Sequence, residues 1–477
     1  MSAGYYRDPS VQARLVDFLG GLTLHEATAQ FVAVESSTAY GWYNPKPVSA
    51  LNELLKDRVE IARSLWDDDS LLIDLDMEYV NFDDPLMALL ESSRALRLQR
   101  PVVRSIQTAL TEYGIAPLHL LSGRGHHFVW RIPRNSFAFK ALSHLGSLLE
   151  SVRYKYAQAL PPREKSVPEE SGRAFAGAGL VMEFLAHRAL REASEESQIP
   201  IQLTAVEVGP IEHGREIISI DISEYGDPLH TRTVRMPFSR YLKFEHASAE
   251  KSLTIASSRF VIPLFEMDEE RGLQCMQDVA EVRDLAKRAS TVIPEAHRGM
   301  EQLIADYCGS KLARFHRYFY KCEHDTTEQW PHTYDLTPLD CLPRCVRRLL
   351  EEPNELLLKP ASLQHLVRTL TAQGWHPRHI AGLVRSKYER DYHWNPGWFV
   401  YDASLRADFY VRLFSGLMAD GLDPLIDYNC KSTEEKGYCC WKGCGEILEN
   451  HRNRLHARYG NSEEIFSAGP LRLASTK

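Results

Sequence analysis

The sequence predicts an α+β domain followed by an all-α, cysteine-containing accessory domain, and three observations carry that expectation. Over the first half, short apolar runs alternate with stretches of helical spacing. Beyond about residue 265, nearly every periodic segment has helical spacing. Four of the nine cysteines fall within Cys430–Cys444. At 477 residues the chain is too long for one hydrophobic core. The divisions read from it are a mixed domain over 1–265, a helical linker region over 266–335, a cysteine domain over 336–460 and a polar tail over 461–477.

In order, Val48–Leu65 has helical spacing, Leu71-Leu72-Ile73 is a short buried-strand run, and Pro85–Leu98 returns to helical spacing. Ala116–Leu121 and Phe128–Ile132 read as strands joined by a glycine-containing turn. Pro161–Ser171 is a polar break, and Ile199–Val208 and Glu216–Ile222 read as strands. Downstream, Gly272–Arg288, His297–Tyr320, Leu342–Leu350, Ser362–Gln373, Pro377–Arg390 and Ala403–Leu417 predict helices, with the polar stretch Glu323–Pro338 as the boundary between domains.

Composition excludes several classes. A chain that is 44% hydrophobic and 25% charged is neither fibrous nor largely disordered. No run of eighteen apolar residues predicts a membrane span. Met1–Pro9 lacks the apolar core of a secretory signal, and an odd, clustered set of cysteines points to metal rather than to disulfides. A cytoplasmic location is therefore expected. The net charge, 56 − 64 = −8, argues against a generic nucleic-acid coat, yet the charge is uneven. Ser64–Ser93 carries nine acids and no Lys or Arg, whereas Cys341–Arg390 has nine basic residues against four acidic ones. Two solvated faces are the plain explanation; a cation site and a phosphate site are the functional one.

Three motifs bear on chemistry. In Leu71-Leu72-Ile73-Asp74-Leu75-Asp76, strand alternation puts Asp74 and Asp76 on one side, roughly 7 Å apart. Two hard carboxylates there suit Mg²⁺ or Mn²⁺, although acid pairs also end ordinary surface strands. Asp83-Asp84 precedes Pro85 and reads as a helix cap. In Ser122-Gly123-Arg124-Gly125-His126-His127, glycines allow close backbone approach to a ligand, and turn amides, Arg124 and His127 suit triphosphate oxygens. The plain alternative is a Gly-rich hairpin with a structural histidine. Finally, Ile218-Ser219-Ile220-Asp221 ends a strand in a carboxylate that would complete a two-metal site, with Arg235 and Lys243 following to neutralise phosphate.

In this order the motifs resemble those of the archaeo-eukaryotic primase superfamily, the primase–polymerases, over roughly residues 30–265: Asp-x-Asp on a strand, Ser-Gly-x-Gly-x-His, then hydrophobic-Asp and a basic-x-Pro-Phe-Ser stretch. The resemblance implies a catalytic domain with an RRM-like sheet core. It makes Asp74, Asp76 and Asp221 the catalytic metal ligands, and Ser122, Arg124, His127 and Arg235 the nucleotide contacts. Tyr241 stands where the family often has a histidine.

The thiols of Cys430, Cys439, Cys440 and Cys444 suit zinc or an iron–sulfur cluster; a redox pair or plain buried thiols are the alternatives. Pro343–Tyr459 resembles the C-terminal domain of the primase large subunit, through Pro-x-Cys opening a basic helix, an aromatic-Asn-Cys, a Gly-Tyr-Cys and a closing cysteine. That implies a [4Fe–4S] cluster, or else Zn²⁺, on Cys345, Cys430, Cys439 and Cys444, with Cys440 and Cys341 as rivals. It implies nucleic-acid contacts at Arg344, Arg347, Arg348, Lys359 and Arg368, and Trp375, Trp394 and Trp398 are candidates for base stacking.

The expected activity is that of a DNA primase or DNA-directed polymerase acting on single-stranded template, primer and nucleoside triphosphates, with a helicase or other replication protein as a possible partner and no membrane. A linker would tether the two domains at raised effective concentration. The alternatives are a non-catalytic nucleic-acid-binding module and a metal-dependent glycosyltransferase.

Overall fold

The strand that carries Asp74 and Asp76 is the longest among the described residues and lies inside the main sheet. The computed structural model describes residues 2–34, 44–56, 59–160, 162, 164–210, 213–242, 259–351, 353, 355–390, 392, 401–439, 444 and 448–459. Its strands, in chain order, are β1 (Val32–Val34), β2 (Pro45–Lys46), β3 (Ile61–Ser64), β4 (Ser70–Asn81), β5 (Leu118–Leu121), β6 (Gly125–Pro133), β7 (Ile201–Leu203), β8 (Glu216–Asp221), β9 (Thr233–Arg235), β10 (Arg240–Tyr241), β11 (Arg259–Phe260) and β12 (Ile262–Pro263). The main sheet has the order β12-β5-β6-β4-β8-β7; β2-β1-β3-β9 form a smaller one, and β10 pairs with β11. The chain is thus a mixed α and β structure with a helical C-terminal region.

The alternation of β4 decides which face does what. Ile73, Leu75, Met77 and Tyr79 are all buried on one side, at roughly 1.5–3 kcal/mol per large apolar side chain. The helices Ser92–Glu112 and Glu169–Ala193 pack against β4, and a bond of 3.2 Å from Arg94 Nη1 to the Tyr79 hydroxyl puts the first of them on this apolar side. Asp74, Asp76 and Glu78 therefore face the other way, toward β3 and β9 of the small sheet.

Several expected elements differ. Val48–Leu65 holds a 3₁₀ turn and the short helix Leu51–Leu54, then becomes β3. Pairing with β1 and β9 overrides the helical spacing there, and Arg63 is fully buried against Asp67 at 2.6 Å. β6 starts at Gly125 rather than Phe128 because Gly125 already pairs with Glu78. The helices expected over Gly272–Arg288 and His297–Tyr320 are each split, at Asp278 and Ser310, whose side chains cap the following helices.

Residues 266–335 do not behave as a linker. The helix Val279–Arg288 packs on the helix Pro9–Phe18, and His297–Gly309 packs on the helix Phe137–Leu145 and on β6. Nor does the C-terminal region hang from a tether. Its helix Ala403–Ala419 lies against the 3₁₀ turn Ser223–Gly226 that follows β8. Arg412 reaches the fully buried Glu183 at 3.0 Å, and His316 completes that pair at 3.1 Å. Burial disfavours ionised Glu183, but His316 and Arg412 outweigh it and hold the carboxyl down at about 2. Asp427 accepts from the Gly209 amide at 3.0 Å, and Tyr438 donates to Glu207 at 3.1 Å. A single hydrophobic cluster runs through both regions.

Candidate functional site

Antiparallel register assembles the pocket. Asp76 of β4 stands opposite His127 of β6 on one side and opposite Asp221 of β8 on the other. Residues directly opposite in such ladders share a face, so Asp221 joins Asp74 and Asp76, about 145 positions earlier in the chain, at one cavity. Its volume is about 180 Å³, and Asp74, Asp76, Glu78, Arg124, His127, Asp221, Glu224, Arg232, Arg235 and Tyr401 line it, with Ala62, Thr231 and Thr233.

The charges in the pocket do not balance locally. Arg124 is held by Glu78, at 2.7 Å from Nη2 to Oε1. Arg235 donates from Nε to the buried Glu60 at 2.7 Å, and Arg232 is bound to Asp227 at 2.9 Å. Three lining arginines thus each pair with an acid other than Asp74, Asp76 or Asp221. His127 makes the close contact with those aspartates: Nδ1 lies 3.1 Å and 3.3 Å from the two Asp74 oxygens and 3.7 Å from Asp76 Oδ1. Burial alone would lower the imidazole, but Asp76 and Asp74 overcome it and raise it to about 9. Asp76 is pushed up to about 6, first by burial, with His127 opposing and Glu78 and Asp74 adding to the rise. Glu224, just 6% exposed, is driven well above the carboxylate range by burial and by Asp74, Arg232 opposing. Acids with such perturbed protonation, gathered in a cleft, mark a candidate functional site.

Hard oxygen donors of this kind suit Mg²⁺ or Mn²⁺. Among the described residues no three His, Cys, Asp or Glu side chains are drawn tightly enough to grip an ion as they stand. Asp74 instead leans on His127, whose Nδ1 stands 3.1 Å from its Oδ2.

The glycine turn works differently from expectation. A Cβ on Gly125 would sit 2.0 Å from the Met77 carbonyl oxygen, and one on Gly123 would sit 2.1 Å from the Tyr241 ring. At both positions the missing side chain makes room for neighbouring protein atoms. Ser122 does not line the acidic pocket; its hydroxyl donates to the Gly125 carbonyl at 3.1 Å and closes the turn. Tyr241, at the position where the resembled family often has histidine, packs between Gly123 and the Arg235 guanidinium, which stands 5.2 Å from its ring centre. Lys243 lies outside the described residues. His126 points to the opposite side and contacts His119 at 2.9 Å.

Glu60, Glu78, Glu224, Arg232 and Tyr401 were not anticipated. Glu78 continues the Asp74–Asp76 alternation and was there to be found. Tyr401 comes from the C-terminal region, with Arg406 stacked 3.8 Å from its ring centre, and no local pattern marks it.

The cysteines form a second constellation. Cys345 opens the helix Arg344–Glu351, and Cys430 opens the helix Cys430–Glu435. Burial, then the neighbouring Cys439 and Cys430 and more weakly Cys444, push the Cys345 thiol up to about 12. These four thiols are therefore electrostatic neighbours, and His365 Nε2 lies 3.2 Å from the Cys345 sulfur. Thiols are soft donors of the kind that zinc and iron–sulfur clusters take, although among the described residues no three of them are drawn together tightly enough to hold an ion as they stand. Cys341 is exposed, with its sulfur 3.1 Å from the Pro338 carbonyl, and Cys440 lies outside the described residues.

The basic residues divide. Arg344 and Lys359 are exposed and Arg348 half-buried. Arg347 is paired with Asp340 at 2.8 Å and Glu351 at 2.6 Å. Arg368 is not a surface phosphate contact: it is 5% exposed and donates from Nε to Asp423 at 2.8 Å. Trp375 is half-buried against the core, and Trp394 and Trp398 lie outside the described residues. No described helix is long and apolar enough to cross a membrane.

No family model, curated protein or solved structure matches this chain.

Proposed function

We propose that the protein is a primase–polymerase: a nucleotidyltransferase that makes or extends primers on single-stranded DNA from nucleoside triphosphates. The observation that carries this reading is the register of Asp76 against His127 and Asp221, which turns distant acids toward one pocket. The sheet section β5-β6-β4-β8, with helices behind and acids in front, is compatible with the RRM-like core that the motif resemblance implies. Mg²⁺ or Mn²⁺ bound there supplies activation of an attacking hydroxyl and neutralisation of triphosphate charge. Asp74, Asp76 and Asp221 would hold the cations. His127, kept cationic by its acids, offers positive charge to a phosphate oxygen. Arg124 and Arg235, oriented by Glu78 and Glu60, add positive potential at the same mouth. Cys345, Cys430, Cys439 and Cys444 would hold the cluster or zinc as a structural tie, and Arg344, Arg348 and Lys359 are proposed contacts for the template.

The test is incubation with single-stranded template, nucleotides and Mn²⁺, with and without primer. Product without primer makes it a primase, extension alone a polymerase, and neither refutes the reading. Asp74→Asn and Asp221→Asn are expected to abolish incorporation with an unchanged circular dichroism spectrum; wild-type incorporation by either overturns the assignment.

A further inference from the structure

Directly after β8 the chain makes the 3₁₀ turn Ser223–Gly226, which carries one more acid, Glu224, into the cavity. Glu224 is 6% exposed, and its Oε1 has no hydrogen-bond partner. A buried acceptor left unbonded costs about 1–3 kcal/mol, more for a charged group. Such a group calls for a partner that the chain's own atoms do not supply. The neighbouring Asp74, Asp76 and Asp221 disfavour an anionic partner and favour a cation.

The turn is held from the C-terminal region. Gly226 is pressed against Phe409, whose ring carbons would stand 2.8 Å from an added Cβ. The next residue, Asp227, accepts from Arg406 Nε at 2.6 Å and Nη2 at 2.9 Å, and from Arg232 Nη1 at 2.9 Å. These contacts fix the backbone on which Glu224 sits.

We propose that Glu224 is a fourth carboxylate ligand of the divalent-cation site, set in place by docking of the helix Ala403–Ala419 against its turn. The inference deepens the reading of the pocket as a cation site and rests on it. Arg406 is then a positioning residue, acting on the cation through Asp227 and the turn.

The experiment is Mn²⁺ binding to the full chain, without nucleotide, by calorimetry and by the electron paramagnetic resonance signal of free Mn²⁺. Glu224→Gln keeps the shape and removes the charge. It is expected to weaken Mn²⁺ binding ~10-fold or more, to leave the cation-free protein at least as heat-stable as wild type, and to reduce the stabilisation that Mn²⁺ confers. Arg406→Met is expected to weaken binding in the same direction but less. Asp74→Asn separates this inference from the reading beneath it. Weakening by Asp74→Asn alone overturns the role of Glu224 and leaves the cation site standing. Weakening by neither variant overturns both, weakening by both supports the fourth ligand, and weakening by Glu224→Gln alone overturns the four-carboxylate set. If Arg406→Met binds Mn²⁺ as wild type does while Glu224→Gln does not, the docking clause fails and the ligand assignment stands.

Discussion

Replacing His127 with asparagine removes the cation that makes the closest contact with Asp74 and Asp76. Holding the imidazole at about 9 rather than the ordinary 6.5 is worth about 3 kcal/mol at ~1.36 kcal/mol per pH unit. His127 is buried, 3% exposed, so solvent screens little of this. The sign follows from a raised value: the stabilisation is complete below pH 6.5 and disappears as pH rises through about 9. Asp76, raised to about 6, also favours the folded state more at low pH, with that contribution complete below 3.8 and lost as pH rises through about 6. Thermal unfolding without divalent cations should therefore find His127→Asn several degrees below wild type near pH 6.5, with the gap closing by about pH 10. Mn²⁺ should rescue the variant more than it helps wild type, because a bound cation takes over the neutralising role. Equal cation-free stability of the two proteins near pH 6.5, or a gap that persists unchanged to pH 10, would falsify this electrostatic account of the pocket.

Three further outcomes are expected. Arg412→Leu leaves Glu183 buried with His316 as its remaining partner and should cost about 3–5 kcal/mol; thermal unfolding measures it, and the double change with Glu183→Gln should recover much of the loss. Gly123→Ala drives a Cβ into the Tyr241 ring at 2.1 Å, so it should reduce both stability and incorporation. The pair Gly123→Ala/Tyr241→Ala should restore part of the stability, and no recovery would mean that the ring is not the obstacle. Cys345→Ser should lower the bound iron and sulfide, or zinc, of anaerobically purified protein, whereas Cys341→Ser, at an exposed thiol, should not.

What was legible in the chain was what strand alternation alone decides. Asp74 and Asp76 had to share a face once Leu71–Ile73 began a strand, and Asp221 ends a strand of the same character. Which strands become neighbours is a tertiary choice, so the meeting of Asp76 with Asp221 was an expectation that only the register could meet or refuse. Val48–Leu65 misled because β3 gains its identity from β1 and β9. The 25-residue helix Glu169–Ala193 escaped notice because its start lies in the polar break read over Pro161–Ser171 and Gly172, Gly177 and Gly179 dilute its helical signal. Arg368 looked like a nucleic-acid contact since a basic helix residue gives no sign that Asp423 waits 55 positions on to neutralise it. Glu224 and Tyr401 carried no pattern at all, as each acquires its meaning from a surface supplied by another part of the chain.

Tyr401 belongs to the helical half yet walls the acidic pocket, and this limits how the gene can be cut. A fragment ending near residue 338 would retain every aspartate of the pocket while stripping the cover from Glu183 and from the turn bearing Glu224. Such a fragment should be poorly soluble and should bind Mn²⁺ more weakly than the full chain. Grafting a foreign accessory segment in its place would succeed only if the newcomer reproduced Arg406, Phe409 and Arg412 in the same spatial arrangement.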